Sequence, residues 1–517
     1  MVPSKTDSTR RAAIVGGAAT IMGGGATALT LASARGQSEK VLRVAIGGFP
    51  AERGNAFANI QTPSIVVLAA LFDGLTRLKH DGTVSPWLAT AWTQIDPLTW
   101  RFTLREGVVF SNGKPCDAAA VAGNIDYLSG PGPATEGVRR EMLFLDGARV
   151  VDASTVEIKT THPVPMLPRY AAVLPIVDIE AWHAMGPEQF SLTPVGTGPF
   201  VAESWGPARI ELRANRSSWR KPKIDAIEYI NLPDAPPRLA GLQSGRIDVA
   251  YQVAPEDFSE VERIGGSIFT LRDGSATNIV FLFGEGRETP LNDVRVRRAL
   301  NLGVDLDRII KQLLGGRTTV SSQPTVAAAF GYDPDIEPYT YDPDAARALL
   351  REAGYADGFA ITLQTSGFGT SMLAIIQQIA NDWAQIGVNV TVQMKPVIRY
   401  LTDFVRGRYE ADAMTLQWGA YPTLDSIQMT NLSSCRKTVP WYCDQAIQPV
   451  IEEAWLETDP DKALALRRQV MRYYHDQAPG LFLFEGVAFI GLSARTRGFD
   501  SVFGIVAYDQ ITLDEPG

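Results

Sequence analysis

The sequence predicts an α/β fold of layered helices and mainly internal sheets. Three observations carry this expectation. β-branched and apolar runs alternate with capped amphipathic stretches along the whole chain. The 517 residues are long enough, at about 100–200 residues per domain, for about three domains. A hydrophobic share of 45% with 20% charged residues fits a packed core rather than a disordered chain. With 48 Lys and Arg against 57 Asp and Glu, the net charge of −9 lacks the basic excess of a nucleic-acid binder.

The elements follow in order. Val41–Ile46 is a β-branched strand, and Ser64–Leu71 after Pro63 reads as a buried helix. Trp100–Leu104 alternates as a strand before a turn at Ser111-Asn112-Gly113, and Asp117 caps a helix to about Leu128. Thr155–Lys159, Ile210–Arg213 and Ala226–Asn231 are strands; Asp234 to Ser244 is a helix stopped by Gly245, followed by strand Ile247–Tyr251. The alternation resumes with strand Asn278–Phe283 and helices Asp293–Leu302, Asp305–Leu314 and Pro343–Ala353. Strand Phe359–Gln364, helix Ser371–Ile386 and strand Val388–Met394 come next. Helix Ile398–Arg406, strand Ala411–Gln417, helix Pro460–Gln477 and strand Leu481–Phe484 complete the series.

The first 34 residues read as an export address. Arg10 and Arg11 precede an uncharged stretch ending in Ala32-Ser33-Ala34, the pattern of a secretory signal with paired arginines of the twin-arginine kind. Its removal leaves a net charge of −11 over 483 residues, and the first cysteine, Cys116, lies too far on to carry a lipid. A periplasmic protein is expected. Cys435 and Cys443, eight positions apart, are plausible disulfide partners in such a compartment, while Cys116 reads as a small buried hydrophobe.

Catalytic signatures are missing. The four histidines (His80, His162, His183, His475) have no metal-ligand spacing, and neither a G-x-S-x-G elbow nor a phosphate loop occurs. Ser434-Cys435-Arg436-Lys437 spells S-x-x-K without its accompanying triplet. Arg295, Arg297 and Arg298 are expected on the solvated face of a helix whose Val294 and Leu300 point inward. No catalytic residue, metal or cofactor is therefore assigned. Binding chemistry is better represented: Gln417-Trp418-Gly419-Ala420-Tyr421-Pro422 ends a strand, and in open α/β sheets ligands sit beyond the carboxyl ends of strands. Trp418, Tyr421 and Trp441 together suit a small-molecule pocket.

These segments resemble the family 5 extracellular solute-binding proteins, the peptide and nickel receptors of ABC importers. The resemblance runs through LFDGLTRLKHDGTVSPWLATAW (Leu71 to Trp92), WRFTLREGVVFSNGKP (Trp100 to Pro115), VGTGPF (Val195 to Phe200) and LQSGRIDVAY (Leu242 to Tyr251). It continues with PLNDVRVRRALNLGVDLDRI (Pro290 to Ile309), YDPDAARALLREAGY (Tyr341 to Tyr355) and QIGVNV (Gln385 to Val390). It implies a two-lobe periplasmic-binding-protein-like fold of the cluster C type with an extra subdomain in lobe one. On this basis residues 35–274 form lobe one with the subdomain at about 63–185, residues 275–485 lobe two, and 486–517 a return segment. The crossovers are expected near Leu271–Asn278 and Phe484–Val487.

The implied function is capture of a small solute, peptide-like, opine-like or oligosaccharide, between the lobes and its delivery to ABC importer permease subunits. The receptor would be a monomer without cofactor. An exported hydrolase and a ligand-sensing receptor are the rival readings. The cysteine pair is similar to a disulfide of dipeptide-binding members. Where peptide receptors place an aspartate for the peptide ammonium, this chain has Tyr421, so Asp425 is the substitute counter-ion if one is needed. Arg139 or Arg140 falls near an arginine that the nickel receptor uses for its chelate's carboxylates, and Phe49 and Tyr400 are further candidates for the cleft lining.

Overall fold

The structure is a computed structural model that describes residues 39–58, 63–132, 136–284, 286–367, 371–420 and 423–515, except the side chain of Trp418. The export-like segment 1–34 lies outside the described residues. Sixteen strands carry the architecture. In the first part they are β1 Val41–Ile46, β2 Thr76–Leu78, β3 Val84–Pro86, β4 Ala89–Asp96, β5 Thr99–Leu104, β6 Leu145–Asp152, β7 Thr155–Thr160, β8 Phe200–Trp205, β9 Arg209–Ala214, β10 Ala226–Asn231 and β11 Val249–Tyr251. They continue as β12 Ser267–Phe281, β13 Phe359–Thr365, β14 Val388–Met394, β15 Ala413–Gly419 and β16 Gly480–Leu492.

Ten of these strands form one sheet in the order β14-β13-β15-β12-β16-β11-β1-β10-β9-β8. Two long antiparallel strands, β12 and β16, make its spine, and their ladder is interrupted between Arg272 and Ala276. On one side of the break Ser267–Arg272 pairs with Leu492–Val487, and β11 adds to β16 at Ile490–Leu492. On the other side Ala276–Val280 pairs with Glu485–Gly480, and β15 adds to β12 at Ser275–Phe281. The sheet is thus two half-sheets sharing two strands.

Period-2 alternation explains how the second half is covered on both faces. Ile279, Phe281, Leu481 and Leu483 point into one apolar cluster with Trp383 and Ile376. Val280 and Phe482, their neighbours in sequence, point into another with Tyr474, Met471 and Trp441. Such two-faced burial requires near-continuous apolar strands. The helices on these faces start on carboxylate caps: Asp293, Asp305, Asp342 and Asp459 each accept a backbone N–H of the first turn.

The first half has its own core around Leu42, Val44, Phe57, Val66, Ile227 and Tyr229. An antiparallel sheet of order β4-β5-β7-β6 attaches to it, with the Asp117-capped helix Ala118–Ser129 packing Val121, Ile125 and Leu128 with Val156 and Ile158. A buried polar node fastens the quoted sequence blocks together. Asp73 Oδ1 accepts from Trp87 Nε1 (2.8 Å) and Arg220 Nη1 (3.0 Å), and its Oδ2 accepts from Thr197 Oγ1 (2.8 Å) and Trp219 Nε1 (3.1 Å). Arg220 continues to Asp509 at 2.6 Å. Burial alone would raise the Asp509 carboxyl, but the Arg220 charge and its hydrogen bonds hold it below the usual carboxylate range.

Some expectations are corrected. The strands expected at Asn278–Phe283 and Leu481–Phe484 are ends of much longer strands, because Arg272-Asp273-Gly274-Ser275 and Glu485-Gly486 read as turns yet lie inside a bulged ladder. Arg297 is not solvated: it is buried over the Phe283 ring at 3.9 Å and donates to the carbonyls of Leu291, Asn292 and Gln477. Val296 rather than Val294 joins Leu300 in the core. Cys116 is buried, and desolvation pushes its thiol far up, as an inert hydrophobe requires.

Cys435 and Cys443 form a disulfide. Replacing both with serine is expected to lower unfolding free energy by about 2–3 kcal/mol, the chain-entropy value for so short a loop. Urea denaturation of the variant and the oxidised parent checks this; coincident midpoints would contradict it.

Candidate functional site

The two half-sheets meet in a seam beside the ladder break. Ala420, just past β15, donates its N–H to the Gly274 carbonyl at 3.0 Å, so the loop ending β15 lies against the spine. Around it a small apolar cluster combines Leu78, Ala172, Val502 and Phe503 of the first half with Val326, Ala329, Ala420 and Leu424 of the second. Packing is close enough to require glycine at position 82, where φ is +75° and a Cβ would sit 1.7 Å from the Ala328 carbonyl oxygen.

Polar contacts also span the seam. Arg169 donates to the carbonyls of Thr423 and Leu424, both at 3.1 Å, and lies 5.8 Å from the Phe330 ring centroid. Gln428 donates to the Tyr170 hydroxyl. Beside these contacts a cleft of about 400 Å³ is lined by Phe144, His162, Met166 and Tyr170 from one half and by Asp425, Gln428, Trp455 and Arg467 from the other. Three buried hydroxyls, on Thr325, Thr423 and Ser501, have no hydrogen-bond partner among the described residues, and each precedes a residue of the seam cluster in sequence. A buried hydroxyl without a partner is costly, so such groups mark places where a polar guest or water completes the bonding.

The spine itself carries charge. Glu485 pairs with Arg272 and accepts from the Ala327 N–H at 2.6 Å, tying the break to the second half. Asp273 accepts from Ser275 N (2.9 Å) and Ser275 Oγ (2.6 Å). Burial pushes the Asp273 carboxyl up; the Ser275 hydrogen bonds oppose this, and Glu485 adds to it.

The residues singled out in the sequence fare differently. Tyr421 and the Trp418 side chain lie outside the described residues, although the Trp418 backbone pairs with Ala276 at the spine. Asp425 is not a free counter-ion: it is buried, receives Arg467 Nε at 2.7 Å and Nη2 at 2.8 Å, and caps Ile427. Trp441 is a core residue of the second half. Arg139 does not face a cleft; it is buried against Glu136 at 2.8 Å, the Leu128 carbonyl at 2.8 Å and the Tyr127 ring, whereas Arg140 is exposed. Tyr400 is buried and donates to the Thr415 carbonyl, its phenol pushed up to about 12 by desolvation. Phe49 is half-buried against the first core. The sequence gives no sign of Arg169, Gln428, Thr325 or Ser501; Thr423 alone adjoins a segment it marks. Among the described residues no group of three metal-ligating side chains occurs, and no helix is long and apolar enough to cross a membrane.

Two half-sheets share a two-strand spine, with a polar and apolar seam and a cleft between them. The chain belongs to the bacterial extracellular solute-binding proteins, family 5, whose Middle model matches residues 83–439. It is 28% identical over 473 residues to the dipeptide-binding protein of Escherichia coli K12, covering 83% of this chain and 86% of that one. It is 29% identical over 344 residues to the glutathione-binding protein GsiB of Salmonella paratyphi A, covering 64% of this chain and 65% of that one. Among solved structures, CtaP of Listeria monocytogenes matches with a TM-score of 0.82 at 17% identity, over 92% of this chain and 99% of that one. HbpA2 of Haemophilus parasuis matches with 0.78 at 23%, over 92% and 100%. The fold is that of the periplasmic binding proteins, and the chain is a solute-binding receptor of the ABC-importer type.

Two outcomes follow from the seam. A carboxyl raised in the fold costs nothing below its unfolded pKa and destabilises increasingly as pH rises through the folded one. Asp273→Asn keeps an oxygen for Ser275, so it should raise the melting temperature at about pH 7 and leave it unchanged below about pH 3.5, under the unfolded Asp pKa; an equal shift at both would refute the burial cost. Arg169→Ala should remove about 1.5–3 kcal/mol of contacts made only when the halves meet. Solution scattering should then show a more open average shape at an unchanged unfolding midpoint; an unaltered scattering profile would count against this role.

Proposed function

We propose that this receptor acts in the periplasm after twin-arginine export, as a monomer, and passes a small polar solute unaltered to the permease of an ABC importer. Residues 35–274 and 486–517 act as lobe one and 275–485 as lobe two, turning about the spine near Leu271–Asn278 and Phe484–Val487. The observation that supports this most directly is the seam: hydroxyls of Thr325, Thr423 and Ser501 lack partners, while Asp425, the expected counter-ion, is consumed by Arg467. A buried ammonium without a counter-ion is costly. The solute is therefore one bound through hydroxyl, amide or carboxylate groups: a peptide-like molecule with a blocked amine, an opine or an oligosaccharide. The dipeptide- and glutathione-binding relatives make peptide-like solutes the first to try.

A thermal-shift screen of the exported form against dipeptides, their N-acetyl forms, glutathione, opines and oligosaccharides tests this. A solute at about 100 times its dissociation constant adds roughly 2.7 kcal/mol of stability. The largest shift is expected from a compound that keeps its effect without a free α-amine. A dipeptide shift abolished by N-acetylation would overturn the reading.

A further inference from the structure

A second cavity lies wholly in the first half of the molecule. It opens to solvent, and its lining residues all fall between Ala56 and Arg220 or at Ile505. The second half contributes none, so a solute in the seam does not fill it. Ile65, Leu68, Phe72, Val173 and Pro175 make its walls apolar. Arg77, on β2, is the exception. Its guanidinium stacks 4.4 Å from the Trp87 ring centroid. It has no hydrogen bond or ion pair from its side chain among the described residues, although it carries five N–H donors.

The nearby carboxylates are occupied elsewhere. Asp73 is filled by Trp87, Thr197, Trp219 and Arg220; Asp509 is held by Arg220; and Asp500 pairs with His80 at 2.8 Å. Arg77 is thus the one cation of this cavity without a paired anion. Burial, with repulsion from Arg220, disfavours its charged form, a cost that a bound anion would remove. Asp73, Trp87 and Arg220 in the lining bond one another and Thr76 donates to the Pro168 carbonyl, whereas the Arg77 side chain only stacks on Trp87.

We propose that this cavity is a second ligand site, distinct from the seam, that takes a small organic carboxylate: the anion bridges the Arg77 guanidinium and an apolar body lies against Phe72, Val173 and Ile505. A planar carboxylate matches the guanidinium fork, apolar walls disfavour a bare inorganic anion, and a neutral hydrocarbon would leave the donors unmet. Ala172 touches both this cavity and the seam cluster, so the two sites share a wall.

Phenylacetate, with 2-phenylethanol as its neutral counterpart, serves as the probe for saturation-transfer NMR on the exported form. Saturable binding of phenylacetate is expected, at least tenfold weaker for the alcohol and for Arg77→Met. Val173→Phe, which fills the cavity without touching the charge, should also exclude the probe, and it carries the test if Arg77→Met fails to fold. Absence of saturable binding, equal affinity for the alcohol, or undiminished binding in a folded Arg77→Met would overturn the proposal.

Discussion

The feature on which the rest depends is the interrupted ladder between β12 and β16. Two strands are the whole of the sheet common to both halves, and both are continuous through the junction. Regular pairing on either side anchors them by cross-strand hydrogen bonds, and the β12–β16 pairing lapses at Asp273, Gly274 and Ser275 opposite Gly486, while Ser275 pairs with Gly419 of β15. Gly274 takes φ of +75°, which a side chain would resist, and a Cβ at Gly486 would lie 2.4 Å from an Asp273 carboxylate oxygen. The junction therefore combines a glycine at positive φ with a short break in the β12–β16 ladder. A wider shared sheet would weld the halves together; an unpaired linker would not return them to register.

The seam differs from the cores in kind. The cores are extensive, whereas the seam cluster buries eight side chains among the described residues, with Val84 and Ala328 packed against it; Phe489, Phe258 and Ile268 of the first half also meet the second half's core. The seam's polar ties, Arg169 to two carbonyls and Gln428 to Tyr170, are few and specific. A weak seam between stable halves is what a receptor requires, because a ligand shifts such an equilibrium only by its differential affinity for the two states. Were the seam as apolar as the cores, the halves would stay shut with or without solute.

Local signals made most of the fold legible. Val41–Ile46, Ala226–Asn231, Val388–Met394 and Pro460–Gln477 have the bounds their periodicity marks, and Asp117 caps its helix as the pattern suggests. The failures share one cause, partners remote in sequence. Nothing near Asp425 reveals that Arg467, 42 residues on, will neutralise it. Arg297 reads as a solvated residue because the carbonyl at Gln477 that receives it is 180 positions away. The β12–β16 spine reads as two short strands because Gly and charged residues at its middle are ordinary turn formers, and only the pairing of two distant segments makes them a bulge. Strand-end geometry is a local rule and marks the WGAYP loop in the sequence; the unpartnered hydroxyls of Thr325 and Ser501 carry no such local mark.

Arginine use in this chain shows how function separates from structure at the level of single groups. Arg220, Arg297 and Arg467 are buried and spend donors on carboxylates or backbone carbonyls of the fold; Arg139 does so through Nε and Nη1, while its Nη2 has no hydrogen-bond partner among the described residues. Such groups hold segments together, and their charge is already answered. Residue type and neighbourhood in the sequence do not distinguish them from a ligand-facing arginine, which is why Arg139 could be read as one. Choice of partner does distinguish them: the Arg77 guanidinium meets an indole face and a pocket open to solvent, with no hydrogen bond to the protein among the described residues. Arg77, inside the ordinary-looking block LTRLKHDG, thus differs from Arg139 and Arg297, whose guanidinium groups donate to groups of the fold.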